Sequence, residues 1–379
     1  MIKPNKDNCC GCGMCEHVCA HSAITMKADA FGFLVPEVDY DTCINCGLCE
    51  RVCPFGERGD VKYQHPKAYA IRHKDSEVVR ASRSGGFFTA LSDVILQNGG
   101  VVYGAALNNQ LIVNHIRAVS STERNRMRGS KYAQSSLDDI CVAVKQDLKA
   151  GKSVVFSGTP CQVAAIDRYV GNRFKEKLIL VDIICHGVGS PKVWKKFTDY
   201  LEQTQGRKIR HADFRDKEKY GWDGLHKESF LFEHDTKRSY FPYVYYSDLH
   251  VRNCCRNCPF TQVPRQADIT LGDLWGYEKV VPEWGKDNKG ISLVLINSEK
   301  GERLIGDCSN SIETKQIDLS RVMQPHLSRP IEFDYNRRKE YSEDFQTQSF
   351  EFVINKYHKV ERPSFVALVF NKIKVLLAK

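Results

Sequence analysis

The sequence predicts a two-part chain of α+β / α/β class, with a small cysteine-rich N-terminal head and a larger mixed α/β body. Three observations predict it. Cysteines cluster twice near the N-terminus, in "CCGCGMCEHVCA" (9–20) and "CINCGLCERVCP" (43–54). Beyond residue 60, short apolar runs alternate with amphipathic stretches at helical spacing, the pattern of strands and helices layered together. The 379 residues, 42% hydrophobic and 27% charged, suffice for two or three domains with buried cores.

In the head, Cys9, Cys12 and Cys15 stand at i, i+3 and i+6, with Cys19 four residues later. Cys43, Cys46, Cys49 and Cys53 repeat the spacing, and Pro54 follows. Three thiolates so spaced in a tight loop converge on one face of an iron–sulfur cube. The fourth sits on a helical turn pointing away and ligates the other cube. The expected sets are therefore Cys9, Cys12, Cys15 and Cys53 for one [4Fe–4S] cluster, and Cys43, Cys46, Cys49 and Cys19 for a second. Gly11, Gly13 and Gly47 relieve crowding where backbone amides approach the sulfides. Zinc prefers two separated C-x2-C pairs, which is not this pattern. Ala20 stands where the second repeat has proline, and Cys10 is surplus, read as a small buried hydrophobe. The intervening "AITMKADAFGFLVPEVDY" reads as a hairpin covering the clusters. Residues 1–59 thus resemble the bacterial dicluster ferredoxins, which carry single electrons and do no bond chemistry alone.

Charge is unevenly spread. Residues 1–58 hold 5 Lys+Arg and 8 Asp+Glu, a balance of −3, which leaves +12 on the remainder. A basic body is either an ordinary solvated surface or a receptor for an anionic cofactor, substrate or acidic partner. No basic heptad helix, zinc-finger histidine pair or aromatic RNA-binding motif is present, so no nucleic-acid partner is expected. No run of 18 apolar residues occurs, so no transmembrane segment is expected. The opening "MIKPNKDNCC" lacks an apolar signal. A cytoplasmic, reducing home follows, where 16 cysteines stay as thiols or bind metal.

The body is divided as 60–165, 166–330 and a tail, 331–379. "HPKAYAIRH" reads as a linker and strand. "SRSGGFFTALSDVILQNGG" gives a turn, then a helix with Phe87, Phe88, Leu91, Val94 and Ile95 on one face. "VVYGAAL" and "LIVNHIRAV" are strands, and "SSLDDICVAVKQDLKAG" is a capped helix ending at Gly151. "SVVFSGTPCQVAAI" is a buried strand, a sharp turn and a helix with Pro160 at its first position. "KLILVDIICHG" is a buried strand and "SPKVWKKFTDYLEQTQG" a helix. Further strands lie in "RKIRHADFRD", "KESFLFEH", "ADITLGD" and "GISLVLINS". The tail is charged and helical, and its end, "SFVALVFNKIKVLLAK", is amphipathic and basic, suited to core packing, partner docking or peripheral membrane contact.

Three features of the body carry chemistry. Ser84-Gly85-Gly86 opens a helix beside Arg83, and amides there favour a phosphate; a glycine pair equally serves tight packing. "RGSKYAQS" (128–135) offers a cation, hydroxyls and an amide to a diphosphate or a flavin edge, or is a solvated loop. The third is a scattered cysteine set: Cys161 at a strand-to-helix turn, Cys185 at a strand end, and a C-x2-C in "VRNCCRNCPF". These would close another [4Fe–4S] site, or are structural cysteines beside a thiol pair or small zinc site. Cys141 and Cys308 read as core.

These motifs in this order resemble the beta-subunit family of coenzyme F420 hydrogenases and dehydrogenases, in its bacterial form with a fused dicluster head. The matching stretches are "SRSGGFFTALSDVILQNGGVVYGAA", "RGSKYAQS", "FSGTPCQVAAI", "VDIICHGVGSP", "RNCCRNCPF", "RQADITLGDLWG" and "DNKGISLVLINS". The resemblance implies a FAD-bearing α/β body fed by iron–sulfur clusters. It makes Ser84, Gly85, Gly86, Lys131, Tyr132, Gln134 and Ser135 flavin-site candidates. It makes Cys161, Cys185, Cys255 and Cys258 ligands of a third [4Fe–4S] cluster, with Cys254 left out. Asp268, Gly272 and Asp273 match a family signature to which the sequence alone gives no role.

Clusters pass one electron at a time, whereas most organic substrates need two, and a flavin bridges the two regimes. The expected function is an iron–sulfur flavoprotein oxidoreductase. It takes electrons from a ferredoxin-like donor through the clusters to FAD, and on to a deazaflavin coenzyme or a sugar or polysaccharide-pathway substrate, anionic in either case. Lys131 would steady flavin charge, and His186 is a proton donor or a structural histidine; no catalytic residue is assigned. The alternatives are an electron-transfer subunit serving a partner redox enzyme, and a redox-sensing or structural iron–sulfur protein.

Overall fold

Gly13 and Gly47 occupy equivalent places in the two cysteine repeats. With φ of 77° and 73°, each starts a one-turn helix, Met14–His17 and Leu48–Arg51; this left-handed backbone costs a glycine little. The computed structural model, which describes residues 6–56, 63–223, 228–233 and 235–358, joins the two repeats by the expected hairpin. β1 (Ile24–Ala28) pairs antiparallel with β2 (Leu34–Val38). Asp29 Oδ1 ties its turn by accepting from Phe31 N and Phe33 N, both at 2.9 Å.

That turn anchors the head. Phe31 and Phe33 are buried within an apolar cluster of the body. Phe31 stacks on Phe345 with centroids 5.3 Å apart, and its carbonyl accepts from Ser190 Oγ at 2.5 Å. On the opposite side of the head, His17 Nε2 meets the Asp138 carbonyl at 3.0 Å.

The body is built on one mixed eight-stranded sheet. In chain order its strands are β3 (Lys67–His73), β4 (Val101–Leu107), β5 (Val113–Ala118), β6 (Val154–Gly158) and β7 (Leu178–Ile183). A small antiparallel sheet of β8 (His211–Asp213), β9 (Glu228–Leu231) and β10 (Thr236–Ser239) intervenes. β11 (Ile269–Asp273), β12 (Ser292–Ile296) and β13 (Ile312–Ile317) complete the large sheet, whose spatial order is β13-β3-β12-β11-β7-β6-β4-β5. β4, β6, β7 and β11 run parallel to their neighbours in that series, and the remaining pairs are antiparallel. The parallel centre is apolar on both faces, as helices on both sides require: Val154, Val155 and Phe156 are all fully buried. Strands from both sides of residue 165 share this sheet.

The β6-turn-helix unit forms as its sequence dictates. Thr159 and Gln162 make a capping box, and Pro160 opens the helix Pro160–Val170, which crosses from β6 to β7. Two features differ from the sequence reading. The helix expected to begin in "SSLDD" starts at Ile140, because Ser136 Oγ and the Asp138 carboxylate bond each other and hold a turn there. β10 and β13 escape the sequence reading because they are polar sheet-edge strands; β13 buries only Ile312 fully.

The boundary expected near residue 59 and the terminal "SFVALVFNKIKVLLAK" lie outside the described residues. The tail helices that are described, Tyr335–Thr347 and Phe350–Tyr357, pack Tyr341, Phe345 and Val353 into the same cluster as Phe31. Among the described residues, no helix is long and apolar enough to cross a membrane.

Candidate functional site

The two cysteine repeats exchange their fourth members. Cys9, Cys12, Cys15 and Cys53 line one cavity of about 240 Å³. Cys19, Cys43, Cys46 and Cys49 line a second. Among the described residues, no three His, Cys, Asp or Glu side chains converge on the point a single metal ion would occupy. Zinc needs its sulfurs about 2.3 Å from one centre, whereas a cube gives each thiolate an iron of its own. The Cys9, Cys12, Cys15 and Cys53 quartet, spread around its cavity, fits the cube. Burial pushes the Cys9, Cys15 and Cys53 thiols up, and Arg252 pulls Cys9 partly back. Iron therefore has to displace protons to bind here, so loading favours higher pH.

The body cysteines also converge. Cys161 lies in the first turn after β6, Cys185 just beyond β7, and Cys255 and Cys258 on the turn that begins at Asn253. Cys185 feels Cys255, Cys161 and Cys258, and Cys258 feels Cys161 and Cys255. Cys254 lies against Cys255 and also feels Cys161 and Arg252. Burial raises the Cys185 thiol, and that of Cys258 to about 12. Cys161 is drawn down to about 7, chiefly by a hydrogen bond with Cys10 and with help from Thr159 Oγ1 at 3.3 Å. This quartet sits at the carboxyl ends of parallel strands, where open α/β sheets bind ligands.

Cys10 joins the two regions. It is 3% exposed, and its thiol hydrogen-bonds with Cys12 on the head side and Cys161 on the body side. The cavity of the first head quartet therefore abuts the body quartet. Sequence spacing marked Cys10 only as surplus.

The residues implied as flavin contacts divide into three groups. Ser84 Oγ donates to the Ile291 carbonyl at 2.6 Å, and the Gly85 amide to Ser292 Oγ at 3.0 Å. A Cβ on Gly85 would stand 2.2 Å from the Ile71 carbonyl, and Gly86 has φ 90°. Close packing on β3 and β12 thus accounts for Ser84 and Gly85. Lys131 Nζ donates to the Met127 and Arg128 carbonyls, each at 2.8 Å, so the ammonium organises its own loop; burial draws it down to about 7. Gln134 donates to the Cys10 carbonyl at 2.6 Å and accepts from Arg252, and Ser135 Oγ meets His115 Nδ1 at 2.7 Å.

Tyr132 alone of these enters an aromatic cluster. Its ring stacks on Tyr245 with centroids 4.5 Å apart and meets Tyr246 edge-on. Tyr245 lies next to Cys185 and Cys255, and Tyr132 next to Arg83 and Arg215. His186 bridges Asp248 Oδ1 at 2.6 Å and His326 Nε2 at 2.9 Å.

The family-signature residues acquire physical roles. Asp268 accepts from Leu180 N and Ser298 Oγ and pairs with Lys300 at 3.3 Å. Gly272 leaves room for Ile184. Asp273 receives Arg215 Nη1 at 3.2 Å and Trp222 Nε1 at 2.8 Å. Sequence reading missed Arg215 and Arg252. A cation two residues before the paired cysteines was the available signal for Arg252; Arg215 carries none.

The fold and these quartets define an iron–sulfur electron-transfer head on an α/β body. Residues 8–57 match the family described as "4Fe-4S dicluster domain". Residues 151–320 match the C terminus of the family described as "Coenzyme F420 hydrogenase/dehydrogenase, beta subunit". The chain thus joins a 4Fe-4S dicluster head to the C-terminal region of that beta-subunit family. No curated protein matches it. Among solved structures, a chain of the F420-reducing [NiFe] hydrogenase complex from Methanosarcina barkeri is similar, with 16% identity and a TM-score of 0.49, over 78% of this chain and 93% of that one.

Proposed function

We propose that the chain is a cytoplasmic iron–sulfur flavoprotein oxidoreductase, passing electrons from a ferredoxin-like donor through two head [4Fe–4S] clusters and a third body cluster to FAD, and on to a two-electron acceptor. A deazaflavin coenzyme or a sugar of a polysaccharide pathway is the acceptor class that this reading and the basic body favour. The observation that carries the reading is the Cys12–Cys10–Cys161 contact, which places a head quartet against the body quartet. With clusters held by these quartets, the near head cluster would lie beside the body cluster, close enough to exchange an electron with it. Cys46 is exposed on the far quartet and offers the entry face. FAD, when bound, supplies the exchange between one- and two-electron chemistry. The protein's own contribution is a wall of Tyr132, Tyr245 and Tyr246 beside Cys185, flanked by buried arginines. The His186–Asp248 pair stands next to that wall as a route for a proton.

The beta-subunit family favours a second reading, in which the chain serves a partner enzyme and has no substrate of its own. Anaerobic purification with iron, sulfide and flavin counted per chain tests the first part. Three cubes' worth of iron with one FAD is the expected result, and a protein without flavin removes the oxidoreductase reading. Dithionite-reduced protein that reoxidises with an added acceptor supports a catalytic chain. Reoxidation only with a partner protein supports the second reading.

A further inference from the structure

Two arginines distant in sequence share one carboxylate at the end of β11. Arg215 Nη1 donates to Asp273 Oδ2 at 3.2 Å, and Arg83 Nε lies 3.6 Å from the same oxygen. Oδ1 of Asp273 is taken by Trp222 Nε1. The Arg83 and Arg215 side chains are 10% and 9% exposed. Arg83 spends Nη2 on the Trp222 carbonyl at 2.8 Å. Its Nε and Nη1, and Nε and Nη2 of Arg215, are buried without a hydrogen-bond partner. Asp213 is a second acid beside them, so the charges are matched, but four guanidinium nitrogens are left without a hydrogen bond. Folded proteins rarely leave buried donors so without a ligand.

We propose that Arg83 and Arg215 form a receptor for a phosphoryl anion, either the diphosphate of a bound dinucleotide or the phosphoryl group of a substrate. Paired guanidinium forks suit the clustered oxygens of phosphate better than a lone carboxylate. Lys217 stands beside Arg83 with its amine held by the carbonyls of Val79, Ser84 and Lys289, and burial draws it down to about 7. Asp213, the other acid nearby, accepts from the Arg215 backbone amide at 2.9 Å. Tyr132, stacked on Tyr245, lies beside both arginines, so an aromatic cluster adjoins the anion site. The site deepens the flavoprotein reading and rests on it only for the identity of the ligand.

The test uses the full iron-loaded chain, purified anaerobically, with inorganic pyrophosphate titrated calorimetrically and flavin counted per chain. Arg83→Gln and Arg215→Gln are expected to weaken pyrophosphate or FAD binding about tenfold or more. Lost flavin identifies the diphosphate of FAD as the occupant. Retained flavin with weakened pyrophosphate identifies a substrate phosphoryl group. A wild-type chain that lacks flavin but binds pyrophosphate through these arginines keeps this site and removes the flavin reading. Arg83→Lys and Arg215→Lys, which keep the charge and lose the fork, decide the matter should the Gln variants fail to fold. Variants with wild-type flavin content and wild-type pyrophosphate affinity overturn the proposal, as does a wild-type chain that binds neither.

Discussion

Arg252 lies directly against Cys9. Its Nε donates to the Cys9 carbonyl at 2.5 Å, and its Nη2 stands 3.6 Å from the Cys9 sulfur while donating to the Leu34 carbonyl at 2.6 Å. Nη1 donates to Gln134 Oε1 at 3.0 Å. One guanidinium, 2% exposed, thus ties both arms of the head to the body. Gly11 must lack a Cβ to admit it, since that atom would lie 2.6 Å from Nη1.

A buried cation beside a cysteine sulfur stabilises the more negative, reduced state of anything that sulfur ligates. Arg252→Gln is therefore expected to lower the reduction potential of one cluster and leave the others in place. Each tenfold loss of that stabilisation corresponds to about 60 mV for a one-electron couple. An EPR-monitored redox titration reads the shift. Potentials identical to wild type would show that the cation serves docking alone.

Cys10 separates two roles that a cysteine can hold here. Its thiol touches Cys12 and Cys161 but stands outside the spacing that builds either head quartet. Cys10→Ala is expected to keep wild-type iron content and slow the passage of electrons from head to body. Cys53→Ala and Cys161→Ala are expected to lose iron. Iron analysis, together with stopped-flow absorbance after mixing with a reduced donor, distinguishes these outcomes. Loss of a cluster in Cys10→Ala would make it a ligand and displace the present assignment.

What the sequence revealed and what it hid follow from the range of the forces involved. The head quartets were legible because the spacing of three thiolates in one loop and the return of the fourth are local geometry. The β6 turn was legible because Thr159, Pro160 and Gln162 are consecutive capping chemistry. The Arg83–Arg215 pair was not, because it is assembled by β8 and β11 from distant segments with no periodic signal. Cys10 was half legible: its burial followed from its type, but its contact with Cys161 exists only after the Phe31 turn docks. Ser84-Gly85-Gly86 was read for phosphate, and the packing alternative named beside it is the one visible in the contacts of Ser84 and Gly85.

Gly85 makes that last point testable. An added Cβ would meet the Ile71 carbonyl at 2.2 Å and the Ser292 amide at 2.7 Å, both backbone atoms of paired strands that have no room to yield. Gly85→Ala is expected to destabilise the body by about 1–3 kcal/mol, the usual range for overpacking. Denaturant unfolding under anaerobic conditions measures it. Flavin loss at unchanged stability would show instead that the glycine faces a ligand.

Buried histidines, His115 and His250 among them, set the acid limit of the body. His115 holds Ser135 Oγ on Nδ1 and the Ser157 carbonyl on Nε2 at 3.0 Å, and burial pushes it down to about 4. His250 accepts from the Ser190 amide at 3.1 Å and donates to the Val244 carbonyl at 3.2 Å; burial, with His358 and the Arg338 cation close by, pushes it down to about 3. In the unfolded chain both titrate near about 6.5. Below that pH the unfolded state takes up protons that the folded state declines, so stability is complete above it and falls as pH drops towards 4. The slope is about 1.4 kcal/mol per pH unit for each histidine. Anaerobic urea unfolding between pH 7 and 5 is expected to show this decline. His115→Gln, which can keep both hydrogen bonds without titrating, is expected to remove one histidine's share of the slope. An unchanged slope in that variant would mean that His115 is protonated in the folded protein and that its two partners do not hold it neutral.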